Sequence, residues 1–242
     1  MENETNNLQQ EAPQLNVMQR ITGIFTSPQN TLEDIAGKPT WMVPLIITVL
    51  ATVLITYALV PVLISDMQSS DQWQEMLSNP DLSVEQIEQM QSVQLKVVRN
   101  FSGAGAGAGV IFYTLLVSAI LLFVANILMG GHAKYAEVFS VFTWTGLVGV
   151  IGSIVRMFLA SSAGTMEVYL SPAILMSGTA EETFLFKFLA GLDVFIIWRV
   201  ILMAIGLTAI YKFSFTKSFV TLALLYLLMM TVTIFLGGAI SG

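Results

Sequence analysis

Apolar and polar positions along this chain alternate in long blocks rather than at short spacing. Residues 1–16 are polar, acidic and rich in Gln and Asn, a composition that predicts a disordered tail. Val17, Ile21, Ile24 and Phe25 then recur at helical spacing, and Ser27-Pro28 reads as the cap and first turn of a second short helix ending near Gly37. These two amphipathic segments are expected to lie on a membrane surface, with a solvated linker as the plainer reading. From Trp41 the blocks lengthen. Residues 41–64 carry no charge and are long enough to cross about 30 Å of hydrocarbon. Further spans are expected over about 103–129, 138–160, 193–210 and 219–240. The stretch before the fourth is split at Gly191, leaving Phe184–Ala190 as an interfacial helix with Lys187 snorkelling.

The pattern therefore predicts an all-α polytopic membrane protein with about five transmembrane helices and N-terminal amphipathic surface helices. Residues 65–100 form the largest polar interruption and are expected to be an extracytoplasmic loop. Within it Ser83-Val84-Glu85-Gln86 has the form of a capping box opening a helix that runs toward the membrane.

Composition supports this reading. The 242 residues are 55% hydrophobic and 11% charged, against about a quarter charged in ordinary soluble domains. So few charges cannot clothe a water-soluble globule of this size, so the partner implied first is the lipid bilayer. The net charge of −6, with no basic face, argues against nucleic acid. The start of the chain lacks a basic segment followed by an apolar core, so no secretory signal is expected there. Short-loop basic residues favour the cytoplasm, and the acid-free turn holding Lys212 and Lys217 is the best vote. It places the N-terminus inside and the C-terminus outside a cell membrane crossed several times.

Candidate chemistry is thin. There is no cysteine, and His132 is the single histidine, so neither thiolate chemistry nor a His-based metal site is expected. No phosphate-binding glycine loop, HExxH or GxSxG is present. We therefore expect no catalytic residues, no metal and no cofactor. Four polar residues inside the spans remain as candidates: Arg199, Asp193, Arg156 and Asn126. Arg199 is the most expensive, since a charge in hydrocarbon costs several kcal/mol. It either faces a polar cavity, or snorkels or pairs with an acid at the outer interface, the candidates being Asp193, Glu181 and Glu182. Asn126 is expected to hydrogen-bond a neighbouring helix. Gly103/Gly107 and Gly105/Gly109 are two interleaved GxxxG spacings and are candidates for close helix packing, with low-complexity filler as the alternative.

Several short motifs resemble one family. Ile24-Phe25-Thr26-Ser27-Pro28 with Thr31-Leu32 and Ile35 resembles the entry segment of the Yip family, five-span membrane proteins that interact with Ypt/Rab GTPases. Gly130-Gly131 with Tyr135-Ala136-Glu137-Val138 looks like its turn between the second and third spans. Leu192-Asp193-Val194-Phe195 with Trp198 looks like the start of its fourth. The resemblance covers roughly residues 17–240. Val194 replaces a proline common in bacterial members, and the third span lacks a proline after Thr143-Trp144. The long second loop nevertheless favours the bacterial branch, whose members are mostly of undefined role. The resemblance implies a polytopic membrane protein with a cytoplasmic N-terminus. Together with the absent catalytic groups, it points to a non-enzymatic scaffold or accessory subunit with a membrane-protein partner or a homo-oligomer. A small transporter or channel, or a lipid-handling or membrane-shaping protein, is the alternative. The transport reading expects Arg199 and Asp193 to line one water-filled cavity.

Overall fold

A computed structural model describes residues 14–176 and 183–240. Most of the acidic tail, and Glu181 and Glu182, lie outside the described residues. Among the described residues the chain is helical throughout, with no strand.

The first two helices, α1 (Val17–Thr26) and α2 (Pro28–Gly37), form a hairpin. Asn16, expected to belong to the tail, is instead the N-cap of α1. Its side chain accepts from Gln19 N at 2.9 Å, and the Gln19 side chain accepts from Asn16 N at 2.8 Å. The two helices touch where Gly23 faces Thr31, a contact that leaves no room for a Cβ. The apolar edge of the hairpin (Ile24, Leu32, Ile35) is fully buried in the main core. Arg20 ties its base. The guanidinium donates to Asp34 at 2.7 Å, to the Thr40 hydroxyl at 2.6 Å and to the Lys38 carbonyl at 3.2 Å.

The first apolar run is broken. Helix α3 (Met42–Ala58) ends at Leu59, and α4 (Val60–Ser69) starts afresh with Pro61 in its first turn. Proline has no N–H, and its ring would strike the carbonyl four residues back. A span drawn straight through residues 41–64 is therefore corrected to a 17-residue helix with a break. Val43, Ile46, Leu50, Leu54 and Tyr57 repeat every three or four positions on its exposed side, an apolar stripe suited to lipid.

Residues 65–100 are helical over most of their length. They hold the end of α4, the short α5 (Asp71–Ser78) and the first half of α6 (Val84–Phe123). Ser83 and Gln86 form the expected capping box, with bonds of 3.3 and 2.9 Å. Helix α6 then runs unbroken through the Gly/Ala stretch and ends in one π-helical turn, Val124–Leu128. Alanine is the best helix former, and the helical segments on both sides hold the intervening glycines in register. At 1.5 Å per residue the 45-residue rod is about 67 Å long, twice the hydrocarbon thickness.

Helix α7 (Tyr135–Ala163) is the centre of the bundle. Val138 to Val148 are buried without interruption, because α2, α3, α6 and the later helix α9 (Val194–Tyr211) surround them. Trp144 is fully buried, and its indole N–H donates 2.6 Å to the Thr40 carbonyl, joining α7 to the base of the hairpin. Two buried hydroxyls here satisfy themselves locally, Thr143 and Thr145 donating to the carbonyls of Ser140 and Phe142, whereas the Ser118 and Ser140 hydroxyls have no partner among the described residues. After a 3₁₀ turn at Pro172–Leu175 come α8 (Phe184–Gly191), α9 and α10 (Phe215–Ile240). Helices α7 and α9 are antiparallel and close, since Gly152 meets the Phe195 ring and Gly206 meets Val141. The α6 rod, α7, α9 and α10 are each long and apolar enough to cross a bilayer; α3, bent by 118° from α2, brings the candidate spans to five.

Candidate functional site

The two ends of the bundle are pinned by different polar contacts. At one end Asn126 clasps its own turn, donating 3.0 Å to the Ala133 carbonyl and accepting 3.2 Å from the Ala133 N–H. The expectation that it bonds a neighbouring helix is corrected. The amide sits in the π-helical turn, and the connection that follows it supplies the partner. Lys217 Nζ donates 3.1 Å to the Met129 carbonyl from over the Phe213 ring, so both turns that carry the short-loop cations lie together.

At the other end Asp193 does two jobs. One carboxylate oxygen caps α9, accepting from the N–H groups of Phe195 and Ile196 at 2.8 and 3.3 Å. The other accepts from Arg156 Nη2 at 2.6 Å. The ion pair therefore joins Asp193 to Arg156 and not to Arg199. The antiparallel α7 brings Arg156 to the start of α9, while Arg199 lies six residues further along α9 and on another side of it. Asp193 is buried, whereas the Arg156 side chain is 42% exposed.

Arg199 has no acid partner among the described residues. Its guanidinium lies 4.1 Å from the centre of the Phe142 ring and donates 3.3 Å to the Phe142 carbonyl. The Nε atom is enclosed and unpaired. Pairing with Asp193 is thus corrected, while Glu181 and Glu182 lie outside the described residues; the side chain turns into the bundle opposite Gly146, where a Cβ would lie 3.6 Å from Nη2. There it separates two cavities. One, of about 180 Å³, lies between α3, α6 and α7 and includes Thr48, Thr52, Thr114, Thr143 and Ser153 in its wall. The other, of about 230 Å³, lies between α6, α9 and α10 and is walled mainly by Val117, Leu121, Met203, Leu222, Leu225 and Met229. Tyr113, Phe142 and Arg199 border both.

The glycines divide. Gly103 and Gly107 are buried against α3, where a Cβ would strike the Tyr57 ring and lie 2.8 Å from Val53. Gly105 and Gly109 are exposed, with open space where a Cβ would stand.

A further site escapes the sequence reading. The α4–α5 segment leans on the first half of α6 and leaves an apolar groove of about 520 Å³. Met67, Trp73, Met76, Met90, Val93 and Val97 line it. Its wall continues toward Leu82 and Gln86. The signal is present as the spacing of Met90, Val93, Val97 and Phe101, but a helix expected to run toward the membrane gives no sign that α4 and α5 fold back on it.

These features define an all-α integral membrane protein with a carboxylate-poor helical core. The Yip1 domain family matches residues 22–236, and the chain belongs to that family. It is 25% identical over 218 residues to membrane protein YknW of Bacillus subtilis strain 168, covering 90% of this chain and 89% of that one. No solved structure gives a significant match.

Proposed function

We propose that the chain is a non-catalytic scaffold or accessory subunit that holds another membrane protein through its extramembrane stalk. One observation carries the reading: the apolar, methionine-rich groove between α5 and the first half of α6. Lys96 and Arg99 mark where α6 leaves the hydrocarbon, and the uncharged run from Phe101 onward already suffices to span it. The groove therefore faces water or headgroups. An uncovered apolar strip with Met90, Val93 and Val97 exposed is costly there unless a partner covers it. Methionine-lined grooves suit amphipathic helices, because the side chain adapts its shape. The N-terminus then lies inside and the stalk outside the cell membrane.

A photocrosslinking residue at Val93, in cells at native expression, tests this. We expect one discrete protein adduct, absent when the probe stands at Glu88, which is exposed on the far side of the same helix and outside the groove lining. Adducts to lipid alone, or equal labelling at both positions, would count against a partner in the groove. A transport path through Arg199 and Asp193 has less support. Arg199 borders a cavity, but Asp193 is spent on Arg156 and on capping α9.

A further inference from the structure

We propose that Arg199 is the headgroup anchor of a binding site for an anionic lipid, with the acyl chain in the cavity between α6, α9 and α10. Three observations meet at this residue. First, the guanidinium is short of partners. It offers five N–H donors, yet the protein supplies one carbonyl at 3.3 Å and an aromatic face, and Nε has nothing. A cation inside a membrane bundle pairs with acids or backbone carbonyls. Among the described residues Arg199 has one carbonyl and no acid, since both Asp193 oxygens are bound elsewhere. An anionic ligand would supply the missing charge.

Second, the space beside it suits an oxyanion. The cavity between α3, α6 and α7 is opened by Gly146 and Gly149 and holds about 180 Å³, room for a carboxylate or phosphate with a few waters. The hydroxyls of Thr48, Thr114 and Thr143 are spent on backbone carbonyls. Those of Thr52, Ser153 and Tyr113 make no hydrogen bond within the described residues and border the same space, so they are free to donate to an anion.

Third, the cavity on the other side of Arg199 suits a hydrocarbon chain. It is apolar, walled by α6, α9 and α10, and among the described residues α6 and α10 do not pack closely on each other. A gap between two spanning helices opens sideways to lipid, not to water. A soluble oxyanion would use the first cavity and leave the second without purpose. An amphiphile uses both, with Tyr113 and Phe142 at the junction.

The test uses the full chain in nanodiscs of phosphatidylcholine doped with phosphatidic acid, followed by release into mild detergent and native mass spectrometry. We expect phosphatidic acid to be retained over phosphatidylcholine, and Arg199→Gln to lower that retention at least about tenfold, as loss of a charge-assisted bond implies. Leu222→Trp, which fills the chain cavity and leaves the charge, should lower it as well. It keeps the test valid if Arg199→Gln does not fold. Equal retention of the two lipids, or undiminished retention in both folded variants, would overturn the proposal. Inorganic phosphate is the last arm. Thermal stabilisation by phosphate equal to that by phosphatidic acid would assign the site to a soluble oxyanion and overturn the lipid assignment.

Discussion

Replacing each of the four α6 glycines by alanine should split them into two pairs of opposite sign. At Gly105 and Gly109 the added methyl enters open space, so only helix propensity acts. Alanine is better than glycine there by roughly 0.5–1 kcal/mol, and both variants should gain about that much. At Gly107 the methyl would lie 2.8 Å from Val53, a side chain stiff at χ1. At Gly103 it would enter the Tyr57 ring, whose hydroxyl donates 3.0 Å to the Asn100 carbonyl and so resists swinging away. Overpacking of this kind costs about 1–3 kcal/mol. Less the propensity gain, each variant should lose up to about 2 kcal/mol. The pairs should therefore differ by about 2 kcal/mol per site, or some thirtyfold in the folding equilibrium. Titration with dodecyl sulfate from mixed micelles, followed by circular dichroism at a concentration where the chain is monomeric, reads this difference. Equal destabilisation at all four positions would refute the argument, because it would mean that the outer face of α6 is also packed.

Three further outcomes follow from the polar contacts. Arg20→Ala and Asp34→Ala should each cost about 3 kcal/mol, because removing either strands a nearly buried charge, with side chains 6% and 18% exposed. The double variant should cost much less than the sum, and additivity in the same unfolding assay would show the pair to be uncoupled. Asp193→Ala should cost about 1–2 kcal/mol through the lost cap, since the Arg156 it leaves behind is half-exposed. Arg156→Gln should cost more, because it leaves the buried Asp193 carboxylate without its cation. The reverse order would mean that the cap outweighs the ion pair. In intact cells a cysteine at Gln89 should react with an impermeant maleimide and one at Ser214 should not. Labelling at Ser214 would mean that the N-terminus lies outside.

Much of the helical content was readable from the chain because its causes are local. Uncharged runs prefer lipid over any length that spans it. The cap at Ser83 and the stop at Gly191 act within a turn or two of themselves. The proline effect at Pro61 is equally local, and the unbroken apolar composition hid it. What the chain could not show was partnership. GxxxG spacing marks two faces of one helix alike, and only the position of α3 makes Gly103 and Gly107 a contact and leaves Gly105 and Gly109 bare. Arg199 and Asp193 are close in sequence, yet the antiparallel packing of α7 gives the carboxylate to Arg156 and leaves Arg199 between two cavities. Periodicity tells which side of a helix is apolar. Which neighbour covers it, or whether any does, depends on how helices distant in sequence pack together.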